Sequence, residues 1–250
     1  MPLGYLADVT QIQTPRVSVI QHQDDAPLDL LTTALTSVEV DVVRADRGEA
    51  LPQLDQIDGL IVLGGSMNAH DDENSPWLPA VRDLLGAATR AEVPTLGVCL
   101  GAQLLAVACG GTVQVAAPTG PERGIIEVKL RPDAPVDPVL GPVAQSLGLV
   151  IPAPSMHSDA ITDLPASATW LAASRHYPYQ AFRIGTALGV QFHPEISAER
   201  LVQWASSYPE EDPAEMARQW QVNATELATL TSTLGEAFAA QVRESVQTKV

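Results

Sequence analysis

Short apolar runs alternate with longer segments of helical apolar spacing along the first half of the chain. The runs at Arg16 to Gln21, Val38 to Arg44 and Gly59 to Leu63 predict strands. The third is apolar throughout, as strands buried on both faces of a parallel sheet are. Helical spacing predicts helices from Leu28 to Ser37 and from Trp77 to Ala91. This alternation predicts an α/β fold, an open and mostly parallel sheet with helices on both faces.

A fourth strand, Thr95 to Val98, leads through an abrupt turn into a helix from Leu100 to Cys109, and Gly110 and Gly111 then end the helix. Beyond that point the pattern changes. Strands are predicted at 113–116, 125–130, 169–174, 180–183 and 187–192, and helices at 197–206, 214–222 and 224–246. The proline-rich stretch 131–155 has little periodicity, so no element is predicted there.

These patterns predict three parts of the chain. Residues 1–15 form an N-terminal extension, residues 16–206 an α/β domain, and residues 207–250 a C-terminal helical extension that starts at an acidic, proline-bounded break. An amphipathic extension usually buries its apolar stripe on its own domain. We therefore expect the last helices to cover the domain, and a partner-binding surface is the alternative.

Composition narrows the function classes. Hydrophobic residues make up 46% of the 250 residues, which is enough for a large core, and aromatic residues only 4%. The formal net charge of −16 would repel a nucleic acid or an anionic membrane surface, so neither is an expected partner. No apolar run approaches the ~18 residues of a membrane span. The N-terminal residues show no basic and apolar leader pattern.

The two cysteines, Cys99 and Cys109, lie at the two ends of one predicted helix. Ten residues of helix span about 15 Å, which is too far for a disulfide. So few cysteines are typical of a reducing compartment, and we expect a cytoplasmic location.

Cys99 is the candidate nucleophile because it lies in the pattern Gly97-Val-Cys-Leu-Gly101. A nucleophile at a tight strand-to-helix turn crowds its neighbours, which favours glycine at both flanking positions. The start of the following helix adds a positive dipole end that favours a thiolate. The alternative is a buried structural cysteine.

His193 is the candidate base, since of the five histidines it alone lies at a strand end beside a carboxylate, in Gln191-Phe-His-Pro-Glu195. Residues two apart in an extended segment point the same way, so Glu195 can orient the imidazole. Taken alone, the motif also fits a surface histidine followed by a helix-start glutamate. Gly64 and Gly65, which follow a buried strand, and the N–H of Leu100 are candidates for an oxyanion hole.

Together, the stretches 97–103, 191–195 and the Leu-Gly-Gly of 63–65 resemble the class I glutamine amidotransferase family over about residues 17–206. The resemblance implies a flavodoxin-like fold and a Cys-His-Glu triad that hydrolyses the side-chain amide of glutamine through a γ-glutamyl thioester. At the matching positions, Cys99 is the nucleophile, His193 the base and Glu195 its orienting group. Gly65 and Leu100 match the oxyanion hole.

The resemblance also implies that Gln103 helps to hold the substrate. Gly64 and Ser66 of the glycine loop are further candidate substrate-binding residues. Residues 156–159 and the Leu-Pro that follows resemble a stretch of the glutaminase domain of GMP synthase, which adds His157 as a pocket residue. Ser66 and Ser158 depart from the proline and glycine of that pattern, which bears on the substrate more than on the chemistry. We expect no metal ion and no cofactor.

The expected ligand is glutamine or another γ-glutamyl small molecule. The acidic loop around Asp72 could receive its ammonium group, although a solvated loop is the plainer interpretation. The 250 residues hold no phosphate-binding loop, so ammonia from glutamine would pass to a separate synthase subunit. The alternatives are a self-sufficient γ-glutamyl peptidase or amidase, and a non-catalytic scaffold or regulatory subunit.

Overall fold

A computed structural model describes residues 14–248, so most of the predicted N-terminal extension lies outside the described residues. The strands are β1 Arg16–Gln21, β2 Glu39–Arg44, β3 Gly59–Val62, β4 Thr95–Val98, β5 Thr112–Gln114, β6 Glu122–Leu130, β7 Val150–His157, β8 Ala160–Asp163, β9 Thr169–Ala173, β10 Ala181–Ile184 and β11 Ala187–Val190. The α-helices are α1 Leu31–Ala34, α2 Leu78–Arg90, α3 Leu100–Ala108, α4 Leu140–Leu147, α5 Ala198–Ala205, α6 Pro213–Val222 and α7 Ala224–Thr248. Short 3-10 helices lie at Ala45–Arg47, Leu54–Gln56 and Ala134–Val136.

Nine of these strands form one sheet in the order β2-β1-β3-β4-β11-β10-β9-β6-β7, and β5 and β8 pair separately. The five strands from β2 to β11 are parallel. The remaining four continue the sheet in antiparallel pairs. The parallel strands follow the 2-1-3-4-5 order of flavodoxin-like sheets. The predicted fold class is therefore confirmed, with an antiparallel continuation on one side.

The two faces of the sheet carry separate cores, because neighbouring residues of a strand point to opposite sides. Ile61 of β3 faces the side covered by α1, α4 and α7. Leu60 and Val62 face the side covered by α2 and α3. Helix α7 buries an apolar stripe on its side of the sheet, consisting of Leu227, Leu230, Leu234, Phe238 and Val242.

The structure differs from the sequence prediction in two places. The helix predicted from Leu28 to Ser37 is a single turn, α1, and it follows Asp29, which has a left-handed φ of 43°. The stretch 131–155, for which no element was predicted, holds α4 and β7. Asp137 caps α4, since its Oδ1 accepts the N–H groups of Val139 and Leu140.

Strand β7 tolerates Pro152 and Pro154 because it lies at the edge of the sheet and pairs only with β6. The sequence pattern could not reveal this position. Across the described residues, no helix combines the length and apolarity that crossing a bilayer requires.

Candidate active site

The candidate residues meet at the carboxyl ends of β3, β4 and β11, which are neighbours in the sheet. Val98 of β4 pairs with Val190 of β11, so Cys99 and Gln191 leave adjacent strands side by side. The Cys99 N–H donates to the Val190 carbonyl at 2.8 Å. Carboxyl ends of parallel strands are where open α/β sheets bind ligands.

Cys99 occupies a strained turn between β4 and α3, with φ 49° and ψ −105°, and is 6% exposed. Glycine is needed on both sides of this turn. A Cβ on Gly97 would lie 2.6 Å from the Gly101 carbonyl oxygen, and one on Gly101 would lie 2.0 Å from the Val62 oxygen. The turn therefore holds the sulfur at the start of α3, where the helix dipole favours a thiolate.

His193 and Glu195 form a buried pair beside this cysteine. The His193 Nδ1 lies 2.7 Å from Glu195 Oε1. Burial alone would lower the pKa of the imidazole, but the charge of Glu195 and the contact with Cys99 outweigh it and raise the pKa to about 10. At neutral pH the ring is therefore an imidazolium.

Residues that are distant in sequence form hydrogen bonds with the backbone that follows His193. The Pro194 carbonyl accepts the Thr231 hydroxyl of α7 at 2.6 Å, and the Glu195 carbonyl accepts the Leu30 N–H at 2.8 Å. Asp29 accepts the Ser197 N–H at 2.9 Å. These partners are far away in sequence, so no local signal in the chain could have identified them.

The glycine loop after β3 packs directly against the histidine. A Cβ on Gly64 would lie 2.9 Å from His193 Cε1 and 3.6 Å from Cys99 Cβ, so the three residues converge. Gly65 lies beside Cys99 in the wall of both cavities described below. Leu100 is the first residue of α3, where a helix leaves its N–H groups without an intrahelical partner.

A chain of amide contacts reaches the sulfur from the other side. Gln103 Nε2 donates to the Asp159 carbonyl and to Gln191 Oε1, both at 3.2 Å. Gln191 Nε2 in turn donates to Cys99 Sγ at 3.5 Å. No role for Gln191 was predicted, although its position two residues before His193 places both side chains on one side of the segment.

The other two predicted substrate residues are engaged with protein groups. The N–H and hydroxyl of Ser66 both donate to Gln23 Oε1 at 2.8 Å. The Nδ1 of His157 faces the Asp159 carbonyl at 2.9 Å, and its Nε2 faces the buried Glu122 carboxylate at 3.3 Å. His157 therefore presents the side of its ring, rather than a free nitrogen, to the site.

Two cavities meet at Cys99 and also share Gly65, Ser66, Met156 and Tyr208 in their walls. The larger has a volume of about 410 Å³ and is lined by His193 and Trp204. The smaller has a volume of about 100 Å³ and is lined by Gln103, His157 and Arg123. Cys99 thus lies between two spaces of different size and composition, and His193 lines only the larger one.

Arg123 supplies the cationic group of the smaller cavity. Its guanidinium lies 3.7 Å from the centroid of the Tyr208 ring and 2.6 Å from Glu210. Burial opposes the charge, but bonds to Glu210 and Glu211 outweigh it and raise the pKa of Arg123. Asp72 of the acidic loop instead pairs with Arg82, away from both cavities.

Cys109 lies at the far end of α3 and is half-buried, and burial raises the pKa of its thiol. Within residues 14–248, no group of three or more histidine, cysteine or carboxylate side chains is arranged to hold a metal ion.

Known proteins share sequence and fold with this chain. A 30% identical relative over 151 residues is gamma-glutamyl peptidase 5 of Arabidopsis thaliana, with 59% of this chain and 57% of the relative matched. A subunit of the glutamine-hydrolyzing GMP synthase of Sulfurisphaera tokodaii is 37% identical over 109 residues, covering 43% of this chain and 53% of the relative. The chain thus spans little more than half the length of either relative.

The solved structure of a glutamine amidotransferase from Thermotoga maritima superposes with a TM-score of 0.79 at 27% identity, over 91% of this chain and 99% of that chain. The family model for class I glutamine amidotransferases matches residues 30–202. With most of its length matched by that model, the chain belongs to the class I glutamine amidotransferase family.

Proposed function

We propose that this protein hydrolyses the side-chain amide of a glutamine or another γ-glutamyl amide through a Cys99-His193-Glu195 triad. The observation that carries the proposal is the strained Cys99 turn beside a histidine that a buried carboxylate holds at 2.7 Å. Nucleophile, base and orienting group are the three parts that such acyl transfer needs.

The reaction proceeds in two halves. The Cys99 thiolate attacks the γ-carbonyl carbon, and backbone N–H groups of Gly65 and Leu100 stabilise the oxyanion. The C–N bond then breaks as His193 gives its proton to the departing nitrogen. His193 next takes a proton from water, which cleaves the thioester and releases glutamate.

Charge supports a place for the glutamyl part in the smaller cavity. Arg123 lines that cavity and bonds Glu210 and Glu211 through Nη1, which leaves its other guanidinium N–H groups for the α-carboxylate. Gln103, Ser66 and His157 line it as well and remain the proposed substrate contacts. Gly64 would hold the neighbouring loop in place against His193.

The fate of the nitrogen has two candidates, and each has support from a relative. Similarity to the GMP synthase subunit favours glutamine as the substrate and transfer of ammonia to a separate synthase subunit. Similarity to gamma-glutamyl peptidase 5 favours a self-sufficient enzyme that cleaves γ-glutamyl amides. The buried triad geometry speaks against a non-catalytic scaffold.

The test is turnover combined with cysteine labelling. Purified protein is given glutamine and then γ-glutamyl amides, and glutamate, ammonia and amine are measured. We expect glutamate release, and labelling of Cys99 by a diazoketone analogue of glutamine. Cys99→Ser should abolish both, whereas Cys109→Ser, the matched control at the other end of α3, should retain both. Equal loss in the two variants would contradict the proposed nucleophile.

A further inference from the structure

The position of the general acid divides the site into an acyl side and an amine side. The group that protonates the departing nitrogen must lie next to it. His193 lines the larger cavity, and the cationic Arg123 lines the smaller one. A γ-glutamyl amide bound with its carboxylate toward Arg123 therefore directs its amine into the larger cavity.

The volume on the amine side exceeds what ammonia needs. Ammonia is about the size of water, which occupies about 30 Å³ in the liquid. The larger cavity measures about 410 Å³, and small-molecule sites typically span about 300–1,000 Å³. Glutamine as the substrate would leave most of this space without a ligand group.

The walls of this cavity indicate the kind of amine. The Trp204 indole is edge-on to His193, with ring centroids 4.9 Å apart, and its N–H is already bonded to the Asp25 carbonyl at 3.0 Å. Ala26 adds further apolar surface, as do Met156 and Tyr208 on the border with the smaller cavity. Asp25 contributes a carboxylate, and of the described residues that line the cavity none is lysine or arginine. The cationic ring in this wall, His193, is already paired with Glu195 at 2.7 Å. An amine with a carboxylate would thus face the Asp25 acid and no unpaired cation.

We infer that the larger cavity is the binding site for the departing amine, and that this amine carries an apolar or aromatic group and no carboxylate. The inference rests on the proposed function and specifies its substrate class as γ-glutamyl amides of substituted amines. The sulfur displaces the amine from the γ-carbon, His193 supplies the proton to its nitrogen, and water later releases glutamate.

Three amides test the inference: glutamine, γ-glutamylbenzylamide and γ-glutamylglycine. Ammonia and benzylamine have similar basicity, so a difference in kcat/KM between their amides reports binding on the amine side. We expect the benzylamide to exceed glutamine by at least about tenfold, because burying a phenyl group stabilises its complex. It should exceed the glycine amide by a similar factor.

Two neighbouring serines give a matched pair of variants. Both serines are exposed just after α5, but only Ser207 lines the larger cavity. Ser207→Leu should reduce the ratio of benzylamide to glutamine kcat/KM at least about fivefold by filling the cavity. Ser206→Leu should leave both values unchanged.

The outcomes separate the two proposals. Failure of all three amides would overturn the proposed function itself. Glutamine hydrolysis with no preference for the benzylamide would overturn only the amine site. A glycine amide that equals the benzylamide would overturn the exclusion of carboxylates, and an unchanged ratio in Ser207→Leu would overturn the location.

Discussion

At the residue scale, several residues of the candidate site surround the sulfur of Cys99. Cys99 is in a left-handed turn, Gln191 approaches Sγ at 3.5 Å, and Gly64 brings the His193 ring close. The cysteine and the histidine were evident from local motifs. The amide donor was not, because its role depends on the pairing of β4 with β11.

The raised pKa of His193 predicts how the site titrates. The ring should hold its proton up to about pH 10, and Glu195→Gln should lower that midpoint by removing the charge that raises it. The pKa of His193 in the folded state lies above the ~6.5 of free histidine. The protonated ring therefore contributes its full stabilisation of the fold below about pH 6.5, and this stabilisation is lost as the pH rises toward 10. NMR titration of the ring carbons measures both midpoints. An unshifted ring in the parent protein would contradict the ion pair.

Gln191→Leu should slow alkylation of Cys99 by iodoacetamide at neutral pH by about tenfold or more. The reason is the loss of a hydrogen bond to a charged sulfur, worth about 1.5–3 kcal/mol. The measurement is the alkylation rate of the variant and the parent protein at the same pH. Gln203→Leu, on the exposed face of α5, is the control. Identical rates would mean that Gln191 does not stabilise the reacting sulfur.

At the scale of elements, the candidate site is held in place by a helix that contributes no residue to either cavity wall. Helix α7 covers one face of the sheet and donates the Thr231 hydroxyl to the Pro194 carbonyl, between the histidine and glutamate of the proposed triad. The sequence predicted α7 closely, from its apolar spacing. It could not predict this bond, which joins residues 37 positions apart.

Thr231→Val should lower kcat by about fivefold and leave KM nearly unchanged, since a buried hydrogen bond worth about 1 kcal/mol is lost while side-chain shape is kept. Thr231→Ser should restore the rate, because it returns the hydroxyl. Thr229→Val is the matched control, because the Thr229 hydroxyl bonds only within the helix, to Thr225. The measurement is kcat and KM on one γ-glutamyl amide. A similar loss of kcat in both valine variants would contradict a role for the bond from Thr231 to Pro194.

At the scale of the whole molecule, the candidate site combines residues from three parts of the chain. These are the parallel strands, the antiparallel strands and the segment between α5 and α6. Cys99 and His193 follow parallel strands, whereas Arg123 belongs to antiparallel β6 and is held by Glu210. The parallel half and the triad candidates could be predicted because strand patterns and motifs are local. Helix α4, the two cavities and the Arg123 pairing could not, since they arise from contacts between distant segments.

Truncation after residue 206 tests the predicted domain boundary. The stripe of α7 buries Leu230, Leu234, Phe238 and Val242 completely. Burying one such side chain contributes about 1.5–3 kcal/mol, so the four together contribute about 6–12 kcal/mol to the free energy of unfolding. This is comparable with the whole stability of a typical protein, ~5–15 kcal/mol. The truncated chain should be largely unfolded by circular dichroism. A folded and active truncation would show that the extension is dispensable.

The edge-on contact of Trp204 with His193, at 4.9 Å between ring centroids, also has an optical consequence. A proton gained or lost by the imidazole changes the charge next to the indole, so we expect the emission of Trp204 to follow the protonation of His193. With the other three tryptophans, Trp77, Trp170 and Trp220, replaced by phenylalanine, that emission should follow each proton transfer of the proposed reaction. The protein would thus carry its own reporter of the proposed acid–base chemistry, and no added label would be needed.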